Sequence, residues 1–209
     1  MIRHAYIIDG DSFVAAELAT FSEHAGFAVK HYGSMRRFGA AMATLPPGVA
    51  MIEMTLPDGD GLALIERLRT EACPHVPVGM SATGGVSLAV EAMRAGAFHY
   101  LEKPIQMVRL TAVLHEASLK LSQSRSVQHR RQSARSMIDS LTPRQRQILR
   151  GMVDGLRNEE IAQTMGLTRR TVETYRHSML ERLQVGSSLD AVKMAVEGGI
   201  SNWASDAPA

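Results

Sequence analysis

Short apolar runs alternate with stretches of helical spacing over residues 1–120, and beyond residue 141 only the helical spacing remains. HAYIID is a short apolar run with β-branched residues, and FAVKHY, VAMIEM, VPVGMS and AFHYL read as further strands. Between them, Asp11 or Ser12 caps a helix predicted to run through Phe21. GLALIERLRT carries its apolar side chains at 62, 64, 65 and 68, and SLAVEAMRAG reads as a helix closed by Gly96. Strands alternating with helices at this pitch predict an α/β domain, a doubly wound five-stranded parallel sheet covered on both faces. Chemistry in such folds sits at the carboxyl ends of the strands. Asp9, Glu53, Ser81 and Lys103 all fall there.

From Pro104 the pattern turns helical, with an apolar stripe at Val108, Leu110, Val113, Leu114, Ala117 and Leu121. The stripe fades into the polar, basic SQSRSVQHRRQSARS, a linker that continues the helix or runs as solvated coil. LTPRQRQILRGMVDG then opens with Thr142 as N-cap and Pro143 at the first helical position, and ends on Gly151 or Gly155. Asn158 is expected to cap NEEIAQTM, which Gly166 terminates, and Thr168 caps the next helix. SSLDAVKMAVEGG is a last, serine-capped helix, and SNWASDAPA reads as a frayed tail. The expected organisation is therefore a first domain over 1–120, a linker over 121–140, a small all-α domain over 141–200 and a tail over 201–209.

Charge separates the two halves. Residues 1–120 hold 10 Lys+Arg against 12 Asp+Glu, and residues 121–209 hold 13 against 9. A basic second half is where nucleic acid is expected. No apolar run approaches the ~18 residues of a membrane span, the first strand begins almost at once with no signal core, and the single cysteine, Cys73, permits no internal disulfide. These point to the cytoplasm, with no membrane contact. The eight histidines show no metal-ligand spacing, Thr83-Gly84-Gly85 matches no phosphate-binding loop, and no nucleophile elbow or triad is present. No enzyme is expected.

The strand ends AYIIDGD, VAMIEMTLPDGDG and HYLEKP resemble the phosphorylation site of a CheY-like receiver domain. LTPRQRQIL followed by NEEIAQTMGLTRRTVETYRHSMLERL resembles a LuxR-type helix-turn-helix. Together they resemble a response regulator of the NarL/FixJ type, nearest to FixJ in GFAVKHYGS, AVEAMRAGA and KMAVEGG. The resemblance implies an aspartate that accepts phosphate from a histidine kinase, a magnesium ion held by neighbouring acids, and a hydroxyl and a lysine that bind the phosphoryl oxygens. Asp9 matches the first acid, Ser81 the hydroxyl, Lys103 the lysine and Tyr100 the aromatic that turns inward on activation.

Two positions depart from that pattern. Glu53 stands where the aspartate nucleophile belongs, and Gly10 where an acid ligates the metal. The extra methylene moves the carboxylate by up to ~1.5 Å, and a misplacement near 1 Å costs on the order of 100-fold in rate. Asp11 is displaced by one residue and belongs to the helix cap; Asp58 and Asp60 fit turn or cap chemistry. The expectation is an atypical receiver without ordinary phosphotransfer, its magnesium site impaired and no cofactor required. Glu53 is either a partial mimic of phosphate, one charge against about −1.5 to −2, or a structural partner of Lys103.

In the second half, Ile161, Ala162, Met165, Leu167, Val172, Leu180 and Leu183 have core spacing, which leaves Arg169, Arg170, Glu173, Thr174, Arg176 and His177 outward. By resemblance, Glu173, Thr174 and His177 face bases in the major groove, where Glu accepts from cytosine and Thr meets thymine. Arg169, Arg170, Arg176 and the Thr142–Arg144 helix start suit phosphates. Gln145 and Gln147 replace glutamates common in the family, a change without consequence for DNA contact. Near Asn158 the family often has a phosphate-binding lysine, whereas Glu159 and Glu160 sit here, so a homodimer on double-stranded DNA is expected. The rivals are a conventional phosphorylated regulator and a receiver that chiefly senses a partner or ligand.

Overall fold

The computed structural model describes residues 2–83 and 85–200. The expected tail lies outside them. The five apolar runs become β1 (Arg3–Ile8), β2 (Phe27–Tyr32), β3 (Gly48–Glu53), β6 (Val76–Ser81) and β7 (His99–Glu102), with β4 (Thr55–Leu56) and β5 (Gly59–Asp60) forming a small separate ribbon. The main sheet is parallel throughout, in the order β2-β1-β3-β6-β7. Successive side chains of a strand face opposite sides. Accordingly Tyr6, Ile8, Ala50 and Ile52 enter one core layer, and Ala5, Ile7, Val49 and Met51 the other. The first layer is closed by α2 (Met35–Ala41), α3 (Gly61–Thr70) and α4 (Gly85–Ala95). The second is closed by α1 (Ser12–His24) and the first turns of α5 (Met107–Asp139).

A second compact unit, Arg125–Ala209, follows the first, Met1–Ser124. Its helices are α6 (Pro143–Val153), α7 (Asn158–Met165), α8 (Arg169–Leu183) and α9 (Ser188–Glu197). Ile148, Leu149, Ile161, Val172, Met179, Leu183 and Ala191 form its core, and Ala134 and Ile138 from the end of α5 are buried in the same unit.

Several boundaries differ from the sequence reading, each for a local reason. Helix α1 runs on to His24, three residues past Phe21, because Leu18 and Ser22 continue its buried face. Helix α2 went unseen: it is only 7 residues long, carries Gly39, and buries the single side chain Phe38. Its cap is supplied from far along the chain, since the Asp58 carboxylate accepts the Met35 and Arg36 amides, both at 2.9 Å. Helix α5 starts at Met107, not Pro104, and continues without a break through Asp139, so segment 121–139 is helix. Helix α6 passes through Gly151, which is buried, and stops at Val153 before Gly155 turns left-handed. Arg157, not Asn158, caps α7: its amide donates to the Glu160 carboxylate at 2.7 Å, while the Asn158 side chain binds Arg176.

His75 shows how tightly the first core is closed. Its ring is 6 % exposed, sits edge-on to Tyr6 at 5.2 Å and bonds the Met42 carbonyl at 2.8 Å. Burial pushes the imidazole below its ordinary pKa. The unfolded chain therefore takes up a proton that the native chain refuses, and stability is lost as pH falls through the unfolded value of about 6.5. Urea titrations followed by the near-ultraviolet tyrosine signal should show the midpoint dropping between pH 7 and 5.5, and His75→Gln should flatten that drop. A midpoint independent of pH in the parent would contradict this account.

Candidate functional site

Four strand ends converge on an open cleft of about 580 Å³. Asp9 follows β1, Glu53 ends β3, Ser81 ends β6 and Lys103 follows β7. Asp9 and Glu53 are 2 % and 8 % exposed. The Lys103 ammonium reaches both carboxylates: it donates to Asp9 Oδ2 at 2.6 Å and pairs with Glu53 Oε2. Burial works against that charge, yet the bonds to Asp9 and Glu53 outweigh it and hold the Lys103 pKa above the usual lysine value. The Lys103–Pro104 peptide is cis. The remaining oxygens are also engaged. Asp9 Oδ1 accepts the Asp11 amide at 2.9 Å, and Glu53 Oε1 accepts the Thr55 amide at 3.3 Å. Ser81 Oγ donates to the Thr83 carbonyl at 2.6 Å and accepts the Thr83 amide at 3.1 Å. Tyr100 is half-buried against the first core layer; burial raises its hydroxyl pKa, and a hydrogen bond with Ser81 works the other way.

The carboxylates of the cleft are already engaged by protein groups. A magnesium ion needs near-octahedral oxygen coordination, and the cleft offers two carboxylates with an ammonium between them. Asp11 Oδ1 accepts the Phe13 and Val14 amides as the cap of α1, at 2.8 and 3.3 Å. Gly10 supplies no ligand, and a Cβ there would stand 2.6 Å from Pro57 Cγ and 2.8 Å from its Cδ. No group of three or more His, Cys, Asp or Glu capable of holding a metal occurs among the described residues.

In the second unit, Gly166 takes the left-handed conformation, φ 65°, that closes α7 and turns the chain into α8. Thr168 caps α8 through the Thr171 amide at 3.1 Å. The outward face of α8 carries Arg169, Arg170, Glu173, Thr174 and His177, all exposed. Much of that charge is already paired within the unit. Arg169 bonds Glu173 at 2.8 Å and Glu159 at 2.7 Å, and this pairing holds the Glu173 carboxylate below the ordinary range. His177 lies 3.4 Å from Glu181, and Thr174 Oγ1 donates to the Arg170 carbonyl at 3.0 Å. Arg144 is exposed on the first turn of α6, beside the cap Thr142.

Arg176 departs from the outward assignment. Its guanidinium is half-buried, bonded to Asn158 Oδ1 on α7 and to Ser188 Oγ on α9 at 2.8 Å. It braces three helices. Gln145 has a structural role beyond its departure from the family pattern. It is buried, completes a capping box with Thr142, and donates to Ser178 Oγ at 3.2 Å. The spacing Thr142-x-x-Gln145 carries that signal. The Arg176 brace has no sequence signal, because its partners lie 18 and 12 residues away.

Both units match known families. The family model "Response regulator receiver domain" matches residues 5–115, and "Bacterial regulatory proteins, luxR family" matches residues 139–195. The transcriptional regulatory protein FixJ of Bradyrhizobium diazoefficiens is 32% identical over 95% of this chain and 97% of its own. FixJ of Azorhizobium caulinodans is 34% identical over 94% and 93%. Among solved structures, the response regulator StyR superposes with a TM-score of 0.80 at 25% identity, covering 94% of this chain and 100% of its own. Full-length FixJ from B. japonicum gives 0.58 at 32% identity, covering 96% and 98%.

The brace yields a direct test. Arg176→Ala leaves Asn158 and Ser188 without their shared donor, and hydrogen bonds to a charged group contribute about 1.5–3 kcal/mol. The helical unit should lose about 2 kcal/mol, read by thermal unfolding in circular dichroism. Arg176→Lys should not restore it, since one ammonium cannot span both acceptors. Unchanged stability in both variants would return Arg176 to the outward set.

Proposed function

The chain belongs to the FixJ-like response regulators, non-enzymatic regulators that join a receiver domain to a LuxR-type DNA-binding domain, and on that footing we propose that its receiver works without phosphorylation. The observation that carries the proposal is the shared ammonium: Lys103 binds Asp9 and Glu53 at once. A phosphoryl group arriving at Glu53 would have to displace the lysine from a carboxylate that no metal-binding set supports. In this reading Glu53 does standing duty for the phosphate. It draws Lys103 inward, and Tyr100 lies half-buried against the first core layer. The protein then acts in the cytoplasm as a homodimer on double-stranded DNA, and a histidine kinase or other protein partner acts through binding, not transfer.

Acetyl phosphate with magnesium should leave DNA affinity unchanged and add no stable phosphoryl mass. A mass increase on Glu53 or Asp11 would restore the conventional reading. Removing one partner of a buried pair costs about 3–5 kcal/mol, and the Lys103 and Glu53 side chains are 14% and 11% exposed. Glu53→Ala and Glu53→Asp should lower dimerisation and DNA affinity together, measured by sedimentation and gel shift on variants shown to be folded. If both bind as dimers as tightly as the parent, the pair serves only the fold.

On DNA, we assign base reading to Glu173, Thr174 and His177, and phosphate contact to Thr142, Arg144, Arg169 and Arg170. Thr174→Ala should relax sequence preference, worth about 1–3 kcal/mol at one base step, while Arg170→Ala should weaken all sites alike. Equal binding of the parent to its own promoter region and to random duplex would overturn the assignment.

A further inference from the structure

The basic excess of the second half does not sit in its helix-turn-helix. Residues 140–209 hold nine Lys+Arg against eight Asp+Glu, whereas residues 121–139 hold four arginines against one acid. From Ala117 to Ile138 no Asp or Glu occurs, while Lys120, Arg125, Arg130, Arg131 and Arg135 do. All of this is helix, inside α5. The pairing pattern is divided in the same way. In the helix-turn-helix, Arg157 and Arg169 are held by its own glutamates, and Arg176 by Asn158 and Ser188. Arg130, Arg131 and Arg135 are exposed, and no ion pair involves them among the described residues.

The end of α5 is also fixed in place. Ala134 and Ile138, one turn apart, are 4 % exposed in the core of the second unit. A Cβ added to Gly198, at the end of α9, would stand 2.4 Å from Ile138 Cδ1, so the two helices touch closely there. Residues four apart share a helix face. Arg130 therefore continues the face that Ala134 and Ile138 bury, at the point where that face leaves the core. Arg131 and Arg135 lie one turn apart on the adjoining face.

We propose that this arginine run of α5 is a second, sequence-independent DNA contact that grips backbone phosphates. It supplies the attraction that a nearly neutral helix-turn-helix lacks. Three guanidinium groups without an ion pair among the described residues, on a helix docked to the DNA-binding unit, present delocalised cations with forked donors, the chemistry that suits phosphate. The inference rests on the DNA-binding reading above, and the experiment separates the two.

The full chain is compared with Arg130→Gln/Arg131→Gln/Arg135→Gln, in which glutamine keeps a good helix former and circular dichroism checks the helix. Affinities for a promoter-region duplex and a random duplex of equal length are measured between about 50 and 200 mM salt. Each phosphate contact contributes ~0.9 to the slope of log K against log salt. The variant should lose about 2 to 3 units of slope on both duplexes, with the ratio of their affinities unchanged. Replacing the same three arginines by lysine should restore most of the slope. An unchanged slope, or a lost promoter preference at unchanged slope, overturns the linker contact and leaves the DNA-binding reading standing. A parent that binds neither duplex overturns both.

Discussion

One ammonium stands between two buried carboxylates at the strand ends of the receiver. Asp9 and Glu53 stand on adjacent strands, and without Lys103 the sheet would bury two like charges side by side. The lysine comes from β7, across the intervening strand that ends at Ser81, so the contact ties the carboxyl ends of three strands. An aspartate at position 53 would set the carboxylate back by up to about 1.5 Å. The neighbouring polar groups close the cleft around this pair. Ser81 turns to its own loop, Thr55 satisfies the other Glu53 oxygen, and Asp11 is released to cap α1.

The DNA-binding unit is organised by the same economy of polar groups. Its helices are short and rely on bonds between elements: the Thr142–Gln145 box, the Gln145–Ser178 bond, and Arg176 spanning α7 and α9. Charges on the recognition face are largely cancelled before DNA arrives, as Arg169 shows with Glu159 and Glu173. Exposed pairs of this kind add little to stability. They fix Glu173 and Arg169 against each other on the outward face of α8.

Much of this was legible in the chain itself. The five strands, four of the caps and the convergence of Asp9, Glu53, Ser81 and Lys103 follow from periodicity, turn chemistry and strand-end placement. So does the core of the second unit, where Ile161, Ala162, Val172 and Leu183 are buried. What escaped was decided by tertiary partners. Helix α2 buries one side chain and borrows its cap from Asp58, so its own residues carry almost no periodic signal. Asn158 has the residue type of a cap, but Arg176 claims its side chain and Glu160 takes over the capping bond. The linker remained open because exposed polar residues give helix and coil the same pattern, and the buried Ala134 and Ile138 become visible only once the second unit is folded.

The contact between Gly10 and Pro57 limits what the cleft can be made to hold. Any side chain at position 10 meets a proline ring at 2.6 Å, a rigid neighbour that yields only if the loop carrying it moves. An aspartate placed at position 53 alone would leave that closure intact. An acid placed beside Asp9 would need the Pro57 loop to shift with it, so the two positions can be redesigned only together with that loop.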